Sequence, residues 1–182
     1  MKTIFKSVVI ASLFFASSAF AQNAKGMKAY VTLFPAGDFI AQTSDVTGFA
    51  EMVSPTEVKA SNIKVNLKTL KTGMELRDDH AKNKYLEVAK YPEAILVSAT
   101  GKDGKGSGVL KFHGKENKVE GTYSLIGGNK LLKAEFKIKL SQYGINEINY
   151  KGVGVDDEVK IEVLVPVQAA AAAAKPAAPA KK

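Results

Sequence analysis

The chain predicts an antiparallel all-β domain, built either as a sandwich or as an up-and-down barrel. Apolar and polar residues alternate with a period of two through most of the sequence, tight-turn residues separate the alternating runs, and strand–helix–strand spacing is missing. The clearest run sets Leu132, Ala134, Phe136, Ile138 and Leu140 against Lys133, Glu135, Lys137 and Lys139. In a strand that places the apolar side chains on one face and the charges on the other. Val159, Ile161, Val163, Val165 and Val167 repeat the pattern against Lys160 and Glu162, so one face of the sheet is dry and the other wet.

In chain order, weaker runs place strands at 29–34, 39–42, 46–52 and 58–67, then at 94–99, 108–112 and 119–125. Ser54-Pro55, Asp103-Gly104, Gly114-Lys115-Glu116-Asn117, Gly127-Gly128-Asn129 and Val155-Asp156-Asp157 supply the turns. Val58 and Ala60 are out of phase with Ile63, Val65 and Leu67, the mark of a bulge near Ser61-Asn62. One stretch leaves the pattern: Met74, Asp78, Ala81, Tyr85, Val88 and Ala89 recur at helical intervals until Pro92 stops them. One or two short helices are expected in the 73–91 connection, crossing an end of the sheet as a plug or a lid. The lack of cysteine and tryptophan removes the antibody-type sandwich markers and tilts the choice toward a barrel. An eight-stranded barrel is either filled by side chains or just hollow enough for one slender ligand.

The two ends read differently. Lys2 and Lys6, an apolar run from Ile4 to Phe15 and the site Ala19-Phe20-Ala21 form a secretory signal peptide over 1–21. The mature protein is expected to start near Gln22 and to work in the periplasm or as a secreted protein. Residues 168–182, almost all alanine with Pro176, Pro179 and three lysines, read as a disordered basic tail with at most weak attraction to an anionic envelope surface. Without Lys2, Lys6, Lys175, Lys181 and Lys182 the formal charge of +8 falls to about +3, which is not the balance of a nucleic-acid binder. With no cysteine there is no disulfide, thiol or lipid attachment. What remains, 22–167, suits one domain with a single core.

The 26 basic residues resolve into 25 lysines and Arg77. A lone arginine beside Asp78, Asp79 and His80 points to a place that needs a planar, bidentate donor. Arg77 is expected to pair with a carboxylate and pin the helical segment, Asp78 or Asp79 to cap a helix start, and His80 to bond the loop or a ligand head group. Read as an active site, the cluster has no serine or cysteine nucleophile and no glycine-rich phosphate loop in association, so no catalytic residue and no enzyme is expected. Only two histidines exist, His80 and His113. A site from His80, Asp78 and His113 is the weaker reading, so no metal is expected, and His113 is expected at an exposed hairpin end.

The runs Leu70-Lys71-Thr72-Gly73, Arg77-Asp78-Asp79-His80 and Tyr85-Leu86-Glu87-Val88-Ala89-Lys90-Tyr91-Pro92 resemble the central signature of the YceI-like family, the polyisoprenoid-binding, lipocalin-like proteins. The resemblance extends through Val46-Thr47-Gly48-Phe49, Tyr143-Gly144-Ile145 and the strand at 159–167. It implies an extended eight-stranded antiparallel β-barrel with helical connections, enclosing a tunnel for a long isoprenoid or fatty-acyl chain. The implied role is a soluble periplasmic carrier for an isoprenoid quinone, polyprenol or fatty acid, with no cofactor beyond that lipid and transient contact with a membrane surface. Association of two barrels stays open, and a filled envelope interaction module is the alternative. Candidate liners are Phe39, Phe49, Ile63, Val65, Leu67, Leu96, Leu110, Phe112, Tyr123, Leu125, Phe136, Ile138, Tyr143, Ile145 and Ile148, with Leu76, Arg77, His80, Tyr85 and Tyr91 near an opening. Many members begin with a longer segment bearing a Trp and a His-Ser pair, whereas this chain starts with Lys28-Ala29-Tyr30-Val31-Thr32-Leu33-Phe34 and has no Trp.

Overall fold

Alternation does produce a β-barrel, in a computed structural model that describes residues 25–150 and 152–169. The signal peptide read at 1–21 and the tail from 170 onward lie outside the described residues. In chain order the strands are β1 (Gly26–Phe34), β2 (Gly37–Thr43), β3 (Val46–Thr47), β4 (Ala50–Ser54), β5 (Glu57–Asn66), β6 (Glu93–Lys102), β7 (Lys105–Phe112), β8 (Lys115–Ile126), β9 (Leu131–Lys139), β10 (Asn149–Tyr150), β11 (Val153–Val155) and β12 (Glu158–Ala169). The last strand runs through Gln168 and Ala169, two residues into the stretch read as tail.

Seven strands close the barrel, β4 to β9 in sequence and then β12, rather than the eight expected. The reason lies in how β12 shares one edge. Its first part bonds β1, from Tyr30 opposite Lys160 to Gly26 opposite Leu164, and its last part bonds β4, from Val167 opposite Ala50 to Ala169 opposite Met52. Pro166, which has no N–H to give, stands at the changeover. The β1–β2 hairpin occupies the wedge so opened, and Gln42 of β2 exchanges backbone hydrogen bonds with Lys71. A second correction follows: the β12–β4 joint is parallel, so the barrel is not wholly antiparallel.

The phase break in β5 is a bend shared by three neighbours. Ser61 and Asn62 both face outward and Asn62 takes a left-handed φ of 52°, which asparagine tolerates better than most residues. Across the ladder, Val97 and Ser98 of β6 are both exposed, and the β6–β7 register shifts there. On the other side Gly48 has φ 102°, and a Cβ on it would lie 3.1 Å from the Ile63 Cα, so only glycine fits that crossing.

The helical spacing yields one short helix, α1 (Glu75–Asp79), which widens into π-helical turns over His80–Tyr85. It covers the barrel end where β5 stops and β6 begins. The β10–β11 hairpin lies beside the end of β1, with Leu33 opposite Val155.

Candidate functional site

Inward positions of the barrel form rows that can be followed strand by strand. One row joins Val58, Gly101, Gly106, Gly121, Phe136, Ile161, Ala29 and Ala41 as successive cross-strand partners. The next joins Ala60, Ala99, Gly108 and Val119. Apart from Val58 and Val119 at the ends of these rows, strands β5 to β8 thus carry glycine and alanine where β9 and β12 carry Phe136, Ile138, Ile161 and Val163. Small side chains on one wall cannot meet large ones on the other, and the barrel is left with a cavity of about 490 Å³. That volume lies in the range of roughly 300–1,000 Å³ typical of small-molecule sites. Val58 and Val65 of β5 both line it, so it runs about 20 Å along the strand at about 3.3 Å per residue.

The wall contains Phe39, Ile63, Val65, Leu67, Leu76, Arg77, His80, Tyr85, Leu96, Leu110, Phe112, Tyr123, Phe136, Ile138, Ile145 and Ile148 from the residues read as liners. Phe49, Leu125, Tyr91 and Tyr143 stand outside it. Phe49 is turned outward by the Gly48 crossing and is 38% exposed. Leu125 lies two cross-strand pairs beyond Tyr123, toward the far end. Tyr143 is buried with its ring edge-on to Phe112 at 5.2 Å, and burial pushes its hydroxyl pKa up, with Asn117 opposing. Tyr91 packs against His113 with ring centroids 4.4 Å apart and the planes tilted by 55°. The liners that the sequence reading missed include large residues, among them Met27, Leu70, Leu86, Leu132, Ile161 and Val163, and a set of small ones: Ala29, Ala41, Ala60, Ala94, Ala99 and Ala134, and Gly101, Gly106, Gly108 and Gly121. A signal for them exists, because Gly106 and Gly108 keep phase with Leu110 and Phe112, and Gly121 with Tyr123.

The cavity reaches the surface at the α1 end, where Met74 and Leu76, each 55% exposed, form a rim with Leu33 near the end of β1 and Ala36 of the β1–β2 connection. Beside this mouth the polar cluster is tied through Thr72. The Thr72 N–H and hydroxyl donate to Asp78 Oδ1 at 2.6 and 2.7 Å, and Lys71 Nζ lies 3.6 Å from Oδ2. Asp78 thus reaches back to the residues before α1, and the N-cap position, Met74, makes no side-chain bond. Burial works against ionisation of Asp78, but the bonds from Thr72 and the charges of Lys82 and Lys71 outweigh it and hold its pKa below the ordinary value.

Arg77 does not pair with a carboxylate as expected. Its Nε donates to Thr72 Oγ1 at 3.2 Å and its Nη2 to the Thr72 carbonyl at 3.1 Å, while the guanidinium lies 4.1 Å above the Phe39 ring. The planar donor is used, but on a backbone carbonyl, a hydroxyl and an aromatic face. Asp79 accepts from Asn83 at 2.6 Å, and His80 stands in the cavity wall.

His113 sits at the β7–β8 turn, but its side chain is only 12% exposed, contrary to the expectation of an exposed position. Its Nδ1 is 3.0 Å from the Tyr143 carbonyl and its Nε2 is 3.1 Å from Glu87 Oε2. Glu87 and Tyr91 thereby tie the far end of the helical connection to the barrel, as the Thr72 cluster ties the near end. His80, Asp78 and His113 are not brought together, and among the described residues no three histidine, aspartate or glutamate side chains form a metal-binding group.

No curated protein matches the chain. Among solved structures it is similar to BcnA of Burkholderia cenocepacia, with a TM-score of 0.60 and 15% identity over 79% of this chain and 96% of that one. It is also similar to a polyisoprenoid binding domain from Saccharophagus degradans implicated in plant cell wall breakdown, with a TM-score of 0.55 and 13% identity over 79% of this chain and 92% of that one. At such identities the likeness is one of fold. The description of the YceI-like domain matches residues 20–167, which spans the whole barrel but for its last two residues. On that match the chain belongs to the family of YceI-like domains, and the seven-stranded hollow barrel is the form the domain takes here.

Proposed function

We propose that this protein is a soluble periplasmic carrier that holds one long-chain amphiphile, an isoprenoid quinone, polyprenol or fatty acid, in the barrel cavity. The observation that carries the reading is the cavity's shape and chemistry together: about 490 Å³, elongated, lined almost wholly by aliphatic, aromatic and glycine residues, and open at one end. A hydrocarbon chain offers almost nothing to hydrogen-bond, so such a wall suits it, and affinity grows by about 0.8 kcal/mol per buried CH₂. The polar end of the ligand lies at the mouth, where Thr72, Arg77 and His80 provide the polar groups. The binding of polyisoprenoid named for the Saccharophagus degradans domain agrees with this class of ligand. The void weighs against the alternative of a filled interaction module. Exposed Phe34 at the end of β1, with Met74 and Leu76, gives the mouth an apolar rim suited to brief contact with a membrane surface. The test is native mass spectrometry of the mature protein taken from the periplasm, followed by organic extraction. One long-chain lipid per protein is expected. A protein that carries nothing and takes up no added quinone, polyprenol or fatty acid refutes the reading.

A further inference from the structure

We infer that Tyr123 is the end-stop of the cavity and sets the length of chain that the protein accepts, an inference that rests on the carrier reading above. Tyr123 points inward from β8 at the end opposite the mouth. Its hydroxyl donates to the Thr56 carbonyl in the β4–β5 turn at 2.9 Å, and its N–H donates to the Gly104 carbonyl in the β6–β7 turn at 2.9 Å. The side chain therefore crosses the barrel from β8 to the start of β5, held at both ends.

It can lie there because the strands beneath it carry no side chains. A Cβ on Gly101 would come 2.5 Å from Tyr123 Cε1 and one on Gly106 would come 3.9 Å from Cδ1. The two glycines are cross-strand partners, so together they form the bed on which the ring rests. Gly101 also meets Val58, 3.0 Å from such a Cβ, and that residue completes the floor on the β5 side. On the β8 side the void stops at the ring, since Tyr123 stands in the cavity wall and Leu125, two residues on along the same face, does not, while Leu132 and Val165 still line it on the β9 and β12 side. A chain threaded from the mouth meets a rigid aromatic side chain fastened by hydrogen bonds, and a methylene that cannot pass it stays outside the apolar wall.

The experiment uses the delipidated mature protein and a ladder of straight-chain saturated fatty acids, with each affinity measured by calorimetry. For the wild type, affinity rises about fourfold per added carbon until the chain reaches the stop, then levels. Tyr123→Ala is expected to move that break to chains several carbons longer, with the same slope up to it. Gly101→Ala is expected to press the ring into the cavity and move the break to shorter chains, which keeps the inference testable if the first variant does not fold. A wild-type ladder that breaks, with the break unmoved in both variants, overturns the stop and leaves the carrier reading standing. A wild-type protein that binds no member of the ladder and no quinone or polyprenol overturns the carrier reading and the stop with it.

Discussion

Substituting Ala60→Leu separates a hollow barrel from a filled one by the signs of two effects. Ala60 faces inward from β5, and its cross-strand neighbours on either side are Ala50 and Ala99, so the added side chain meets space rather than a packed partner. Leucine adds three carbons. In a hollow barrel they enter the void, and at about 0.8 kcal/mol per buried carbon the ligand-free protein gains up to about 2.4 kcal/mol. The same carbons exclude a matching length of bound chain, so affinity for a cavity-filling lipid falls by about 50-fold. In a filled barrel the leucine overpacks the core and costs about 1–3 kcal/mol, with binding unaffected. Urea unfolding of delipidated protein gives the first quantity, and calorimetric titration with a fatty acid that reaches the floor gives the second. Stability up with affinity down is the expected pair. A lower urea midpoint together with unchanged binding refutes the hollow-barrel reasoning.

Four further outcomes are expected. Asp78→Ala leaves the buried Thr72 donors without their acceptor and lowers stability by about 2–4 kcal/mol in urea unfolding. Because the folded pKa of Asp78 is depressed below 3.8, its contribution is whole above that value and is lost as pH falls through the folded pKa, so wild type and Asp78→Asn converge in acid. Arg77→Leu removes two hydrogen bonds and the contact with Phe39 and costs about 1–2 kcal/mol; an unchanged melting temperature with lipid binding abolished contradicts that structural role and assigns Arg77 to the head group. On the outer face, Glu135 is held down to about 2 by hydrogen bonds from Lys133 and Lys160, at 2.9 and 2.7 Å. Carboxyl-carbon NMR titration should place it near that value in dilute buffer and move it back toward the ordinary 4.5 as salt screens the exposed lysines.

Large side chains were the legible part of this protein. Alternation in 132–140 and 159–167 located β9 and β12, and the phase break at Ser61-Asn62 located the bend, because burial of one face enforces a period of two. Closure was not legible. That β12 gives one edge to β1 and then to β4 depends on pairings across the whole chain, and no local pattern distinguishes seven strands from eight. The site was half visible for a related reason. Reading for bulk found Phe136, Ile138 and Leu110, yet the void exists because of Gly101, Gly106, Gly108, Gly121, Ala60 and Ala99, whose importance lies in what they fail to fill. The mouth cluster was visible through its lone arginine, but its partner was misjudged, since a backbone carbonyl and a threonine hydroxyl carry no charge pattern to read.

The double use of β12 has a consequence for how the protein is made. Residues 158–169 are the last described strand, yet they bond β9 along one edge and β1 then β4 along the other, joining Ala50 to Val167. Until they emerge from synthesis, β9, β1 and β4 each present an open edge, the condition in which β-chains recruit one another. Closure must await the most distant contacts, so folding is slow by its topology. The interior that is to receive a lipid has no boundary before that moment, and the nascent chain must be shielded from other chains until the twelve residues of β12 arrive.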